Sequence, residues 1–313
     1  MLQDKNLYQN NISLQLFGHD DLFNNFIKLY ENKNLPKVNL VSGEKGIGKF
    51  TLFFHLIIYI FSKEYKQKYN LDSKLIDENN LILNKILSHT FQNYFYFSNE
   101  DKNKLSIDKV REVKKKLYSS TLDDKPRFII FDDVEFINNN VANALLKMIE
   151  EPSNNNYFIL INNKKGKLVD TLKSRSIETK IFLNFDQKDL ILKNLLKNQN
   201  FSDSFVFDYL HLTTPAMLLK YYNILTEINA DSNTSFFDVT TQLLDKYKKN
   251  KQDIYIDFIK FFLEIKFNKK SSPTKNLTSL FEAKNGILKI LYEYQKFNLS
   301  NNSVLNFVKN SIN

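Results

Sequence analysis

Five short apolar runs punctuate the first 183 residues: Val38 to Val41, Tyr94 to Phe97, Arg127 to Phe131, Tyr157 to Ile161 and Ile177 to Leu183. Runs of this length without strict alternation read as strands buried on both faces. Helical spacing fills the intervals. A helix is predicted from about Lys49 to Ser62. Ser106 can cap another, in which Val110, Val113 and Leu117 recur on one face. Ala142, Leu145, Leu146 and Ile149 share a face over about Val141 to Glu151, and Pro152 stops that helix. Strands alternating with helices predict a parallel sheet covered on both faces. Between Lys63 and Asn93 the helical periodicity is weak.

After Asp186 the strand signal fades. Helices are expected near 236–248, 254–267, 277–297 and 303–312, separated by Asn-, Ser- and Lys-rich joints. The segment "IYIDFIKFFLEIKF" is apolar nearly all round, which places such a helix in a core or a subunit interface. The alternation of Ile254, Ile256 and Phe258 also permits a strand. The expected division is an α/β core over 1–183, a small helical lid over 184–232 and an all-α domain over 233–313.

Composition changes this picture little. The 313 residues carry a net charge of +9, which suits a nucleic-acid partner. The enrichment in Lys, Asn, Ile, Phe and Tyr that AT-rich codons produce accounts for that charge better. With no cysteine there are no disulfides, thiolate zinc sites or cysteine nucleophiles, and the four histidines lack ligand spacing, so no metal site is expected on them. The N-terminus lacks the apolar core of a signal peptide. The apolar stretch Leu52 to Phe61 is far short of the ~20 residues of a membrane helix. A soluble, cytoplasmic protein with no membrane partner is expected.

The candidate chemistry begins at "GEKGIGKF". Gly43, Gly46 and Gly48 can turn backbone N–H groups around phosphate oxygens, and Lys49 can reach the β- and γ-phosphates. Phe50 stands where a hydroxyl would ligate magnesium, and Thr51 points about 100° around the helix from it. Nucleotide binding is therefore expected to outlast hydrolysis. "FIIFDD" places Asp132 at a strand end where loop-type ATPases organise their metal. Asp133 follows where a water-polarising Glu is usual, one methylene short, and an error of about 1 Å can cost ~100-fold in rate. Asn162 and Asn163 close the fourth strand, where an amide can orient a phosphate or cap a turn.

The stretch "NALLKMIEEP" (Asn143 to Pro152) resembles the clamp-loader branch of the AAA+ ATPases, as do "LFGHDDLFNNF", "SIDKVREV" and "LKSRS". The resemblance runs from about Leu16 to Thr226. It implies an AAA+ core, a helical lid and a C-terminal collar that oligomerises. Within that branch the chain looks like the delta-prime, stator-type family of bacterial DNA polymerase III. Lys49-Phe50, Asp132-Asp133 and Ala216 stand where motor subunits keep catalytic groups, while Arg175 is retained.

The resemblance implies that Arg175 is an arginine finger donated in trans to ATP on a neighbouring motor. Asn163 falls where the family has its first sensor. Partners would be gamma/tau-like motors and delta, with primer-template DNA contacted indirectly and the sliding clamp reached through the complex. ATP or ADP could occupy the loop, and zinc is not expected. Lys102, Lys104 and Arg111 lie on the edge the family turns toward DNA, though a solvated Lys-rich face explains them equally. An active motor of the same loader, and a stand-alone DNA-repair AAA+ protein, remain alternative readings.

Overall fold

A computed structural model describes residues 13–98, 107–118, 125–150, 152, 155–197, 205–270 and 277–312. Contacts group the chain into two compact units, Met1–Gln199 and Asn200–Asn313. The first expected lid helix thus groups with the sheet, and the rest of the lid with the C-terminal helices.

The first unit runs α1 (Asp20–Glu31), β1 (Val38–Ser42), α2 (Lys49–Glu64), α3 (Leu81–Leu87), β2 (Tyr94–Ser98), α4 (Ile107–Tyr118), β3 (Arg127–Asp132), α5 (Asn139–Ile149), β4 (Asn156–Asn162), α6 (Asp170–Ser174), β5 (Ile177–Lys180) and α7 (Phe185–Lys197). The strands form one sheet in the order β2-β3-β4-β1-β5, and every pairing is parallel.

Alternation along the central strands explains why both faces are covered. Phe128, Ile130, Ile159 and Ile161 share one core with Phe23 and Phe26 of α1 and Leu52 to Ile58 of α2. Ile129, Phe131, Phe158 and Leu160 share the other with Val110, Val113 and Leu117 of α4 and Leu145 of α5. A strand buried on both faces needs an apolar residue at every position, and "FIIF" and "FILI" supply that. The α4 face is the one its spacing predicts; its proposed cap, Ser106, lies outside the described residues. Asn138 caps α5 by accepting from the Val141 N–H at 2.9 Å.

The predicted fifth strand is shorter than its apolar run, ending at Lys180. Phe182 beyond it is 67% exposed. Of the region with weak periodicity, only Leu81–Leu87 is helical beyond the end of α2.

The second unit is helical where described: a 3-10 segment (Phe205–Leu212), then α8 (Pro215–Glu227), α9 (Phe236–Asn250), α10 (Ile254–Lys270), α11 (Leu277–Phe297) and α12 (Asn301–Ile312). The alternating start of α10 is helix, not strand. Its all-round apolarity fills this unit's own core, where Ile256, Phe258, Ile259, Phe262, Leu263 and Ile265 are fully buried. Its rings pack on Tyr221 of α8 and Phe236 of α9. Among the described residues no helix is long and apolar enough to cross a membrane.

Candidate functional site

The glycine loop leaves β1 and enters α2 at the carboxyl ends of the strands. Gly43 N–H donates to the Asn162 carbonyl at 3.1 Å, which anchors the loop to β4. A Cβ at Gly43 would lie 2.6 Å from the Ile181 carbonyl oxygen, so a side chain would push β1 off the segment after β5. Gly48 has φ 91°, a conformation costly for any residue with a Cβ, and it turns the chain into the helix. Such a helix start presents unpaired N–H groups suited to phosphate. The residues present therefore fit the phosphates of a nucleotide, which the backbone from Gly43 to Gly48 and Lys49 would hold.

Lys49 is 3% exposed. Its Nζ donates to the carbonyls of Gly43 and Glu44, at 2.9 and 2.5 Å. Burial pushes its pKa down to about 8, against the opposing pull of Asp132, Glu135 and Asp133, and the Lys45 ammonium depresses it further. An anion in the loop would relieve that cost.

Magnesium fits poorly. The Phe50 ring packs 4.9 Å edge-on to Tyr96 and 5.7 Å from Phe54, so an aromatic wall lines the side where a ligating hydroxyl is expected. Thr51 sits half-buried on the first turn of α2. Asp132 Oδ1 accepts the Asp133 N–H at 2.8 Å and the Asn163 amide at 2.9 Å, and its Oδ2 accepts the Tyr96 hydroxyl at 3.3 Å. Burial, then the neighbouring Asp133 charge, pushes Asp132 up to about 6. Asp133, 1% exposed and at φ 56°, accepts the Asn163 amide at 2.8 Å and pairs with the Lys45 ammonium at 3.2 Å. The acid that stands where a water-polarising Glu is usual is thus engaged as a structural counter-ion.

The Asn163 amide bridges both aspartates. The backbone N–H of the same residue donates to both carboxylate oxygens of Glu135, at 3.0 and 3.1 Å. Asn162 instead donates to Ser42 Oγ at 3.2 Å, a bond between strand ends.

Four participants escaped the sequence reading: Lys45, Tyr96, Glu135 and His19. The His19 Nε2 donates to the Ile47 carbonyl at 2.6 Å, and burial lowers its pKa. His19 therefore buttresses the loop from the turn before α1. The "FGH" of the N-terminal box was the signal available for it.

Arg175 lies elsewhere, at the C-terminal end of α6. It is exposed, its side chain 41% accessible, and Nε pairs with Glu150 Oε1 at 2.9 Å. Longer contacts reach the Thr171 carbonyl and Ser174 Oγ, at 3.5 and 3.3 Å. Glu150 is the first acid of the Glu-Glu-Pro sequence, so two motifs of the resemblance meet at one surface corner.

Arg111 pairs with Asp108 at 3.3 Å and, with Lys114, Lys147, Asn140 and Asn143, lines a groove between α4 and α5. Cations and amides of this kind suit a phosphate backbone. Lys102 and Lys104 lie outside the described residues. Among the described residues no cluster of His, Asp or Glu is arranged to hold a metal ion. Ala216 opens α8 in the second unit, behind Pro215.

A family profile described as DNA polymerase III, delta subunit matches residues 18–183. The DNA polymerase III subunit delta′ of Buchnera aphidicola subsp. Schizaphis graminum is 27% identical over 186 residues, covering 58% of this chain and 53% of its own. A DNA polymerase III subunit gamma from the same organism is 26% identical over 227 residues, covering 62% of each. The chain spans about half the length of the delta′ relative. Among solved structures, a DNA polymerase III gamma subunit-related protein of Thermotoga maritima is similar at 16% identity and TM-score 0.45, over 91% of this chain and 98% of that one.

Proposed function

This chain belongs to the DNA polymerase III, delta subunit family, and we propose from that premise that it is a stator-type clamp-loader subunit. In this reading it assembles with gamma/tau-like motors and delta in the cytoplasm and takes part in ATP-dependent loading of the sliding clamp. Its own ATPase is weak or absent, and Arg175 is supplied in trans to a neighbour's nucleotide. Primer-template DNA is reached through the assembled complex, and the α4–α5 groove with Arg111 and the adjoining cations is the candidate surface for its phosphates. The helices of 233–313 serve as the collar that joins the other subunits.

One contrast carries the reading. The groups that would drive hydrolysis are spent within the fold, while the guanidinium is spent on nothing costly to break. An exposed ion pair such as Arg175–Glu150 is worth only about 0–1 kcal/mol. A phosphate, which matches the guanidinium fork bidentately, can displace the carboxylate.

The test is the DNA-stimulated ATPase of a loader reconstituted with Arg175→Ala. Turnover at the site fed by this chain should fall by about 10³-fold or more, with assembly intact by gel filtration. Unchanged turnover in the assembled loader would overturn the proposal. The motor reading makes a different demand: substantial turnover by this chain alone, lost in Lys49→Ala.

A further inference from the structure

A phosphate loop beside two aspartates poses an electrostatic problem. Carboxylates at the end of β3 repel a polyphosphate unless a cation stands between them, and in hydrolysing loop-type ATPases that cation is magnesium. Magnesium demands near-octahedral oxygen ligation at 2.0–2.1 Å. Here the hydroxyl ligand is absent at Phe50, and Asp132 has hydrogen-bond donors on both oxygens. Asp133 already holds Lys45 at 3.2 Å, with side-chain exposures of 14% for the lysine and 2% for the acid. Lys45 is itself a member of the glycine loop, two residues beyond Gly43. Its charge is therefore delivered by the same backbone that would wrap the phosphates, and it lies near enough to Lys49 to affect that residue's titration.

We propose that the Lys45 ammonium, seated on Asp133, takes the place of the divalent cation, so that this loop binds the phosphates of a nucleotide without magnesium. The inference rests on reading the loop as a nucleotide site, and it adds that the site is metal-independent and that Lys45 makes it so. The arrangement also accounts for the loss of the hydroxyl. With Asp133 paired from within and both oxygens of Asp132 occupied by hydrogen bonds, a ligand at position 50 has no metal to hold, and an aromatic ring can fill the space against Tyr96.

Calorimetric titration of the full chain with ADP, once with excess magnesium and once with EDTA, tests this. The two dissociation constants should agree within about threefold. Lys45→Met, which keeps the length and removes the charge, should weaken ADP binding in EDTA by about ten- to a hundredfold, the worth of a hydrogen bond to a charged group. Lys45→Arg should retain binding, and a thermal melt of each variant reports whether it folds. Magnesium tightening wild-type binding by about tenfold or more would overturn the inference, as would unchanged EDTA affinity in a folded Lys45→Met. Absence of ADP binding in either buffer would overturn the nucleotide reading as well. The donation of Arg175 is judged separately, by turnover in the reconstituted loader.

Discussion

Two ion pairs in the first unit have similar chemistry and opposite surroundings. Lys45–Asp133 is enclosed between the glycine loop and the end of β3, whereas Arg175–Glu150 lies open at the end of α6. Burial makes the first strong to break, because removing one partner strands a charge out of water. Exposure makes the second nearly free to exchange, because water and ions compete for both groups. The difference teaches where function can persist in a degenerate ATPase fold. Groups inside the old active site become framework, and a charge at the surface keeps its capacity to act on a neighbour.

The widest test of that contrast is catalytic: Arg175→Ala should cost about 10³-fold at one site of the assembled loader while leaving the melting curve of the isolated chain in place. Next in size is Asp133→Ala. It strips the partner from Lys45 and one acceptor from Asn163, and it places alanine at φ 56°. A loss of about 3 kcal/mol in urea unfolding is expected, and a change within 0.5 kcal/mol would mean the pair is not structural.

The buried His55 supplies a pH test of comparable size in the same core. Its Nε2 donates to the Ser13 carbonyl and its Nδ1 accepts from the Tyr69 hydroxyl, both at 2.9 Å. Burial pushes it down to about 4. Its ordinary pKa is 6.5, so between the two values the unfolded chain binds the extra proton and the folded chain does not. Its contribution is complete above about pH 6.5 and is lost as pH falls toward 4, about 3 kcal/mol in all. A His55→Gln variant should show a shallower fall over that window. Parallel curves for the two proteins would rule out the histidine as the cause.

The smallest expected effect sharpens the comparison most. Glu150→Ala should change stability by less than about 1 kcal/mol. If unfolding showed several kcal/mol, Arg175 would be a structural residue and the contrast would collapse.

The parts of this architecture that depend on near neighbours were legible in the chain. "FIIF" and "YFILI" announce strands buried on both faces because every position is apolar. "GEKGIGK" announces a phosphate loop because its glycines and lysine are contiguous. Phe50 could be read as the loss of a metal ligand from its position alone. What the ring does instead, packing on Tyr96 of β2, could not.

The loop's buttress from His19 spans 28 positions, its counter-ion Asp133 lies 88 positions from Lys45, and Glu150 lies 25 from Arg175. None of these pairs has a periodic or contiguous signature. Lys45 meets Asp133 because the parallel sheet brings the segments after β1 and β3 to one edge, and the other two pairs depend on how helix ends pack.

The apolar α10 shows the same boundary. Its sequence required burial but could not choose between its own core and a partner, and packing against α8 and α9 gave the answer. Sequence by itself thus determined which segments become strand, helix and phosphate loop, since those follow from backbone conformation and local polarity. Tertiary structure alone decided which charges are enclosed and which stay in water, because desolvation is a property of the surroundings a side chain meets after folding.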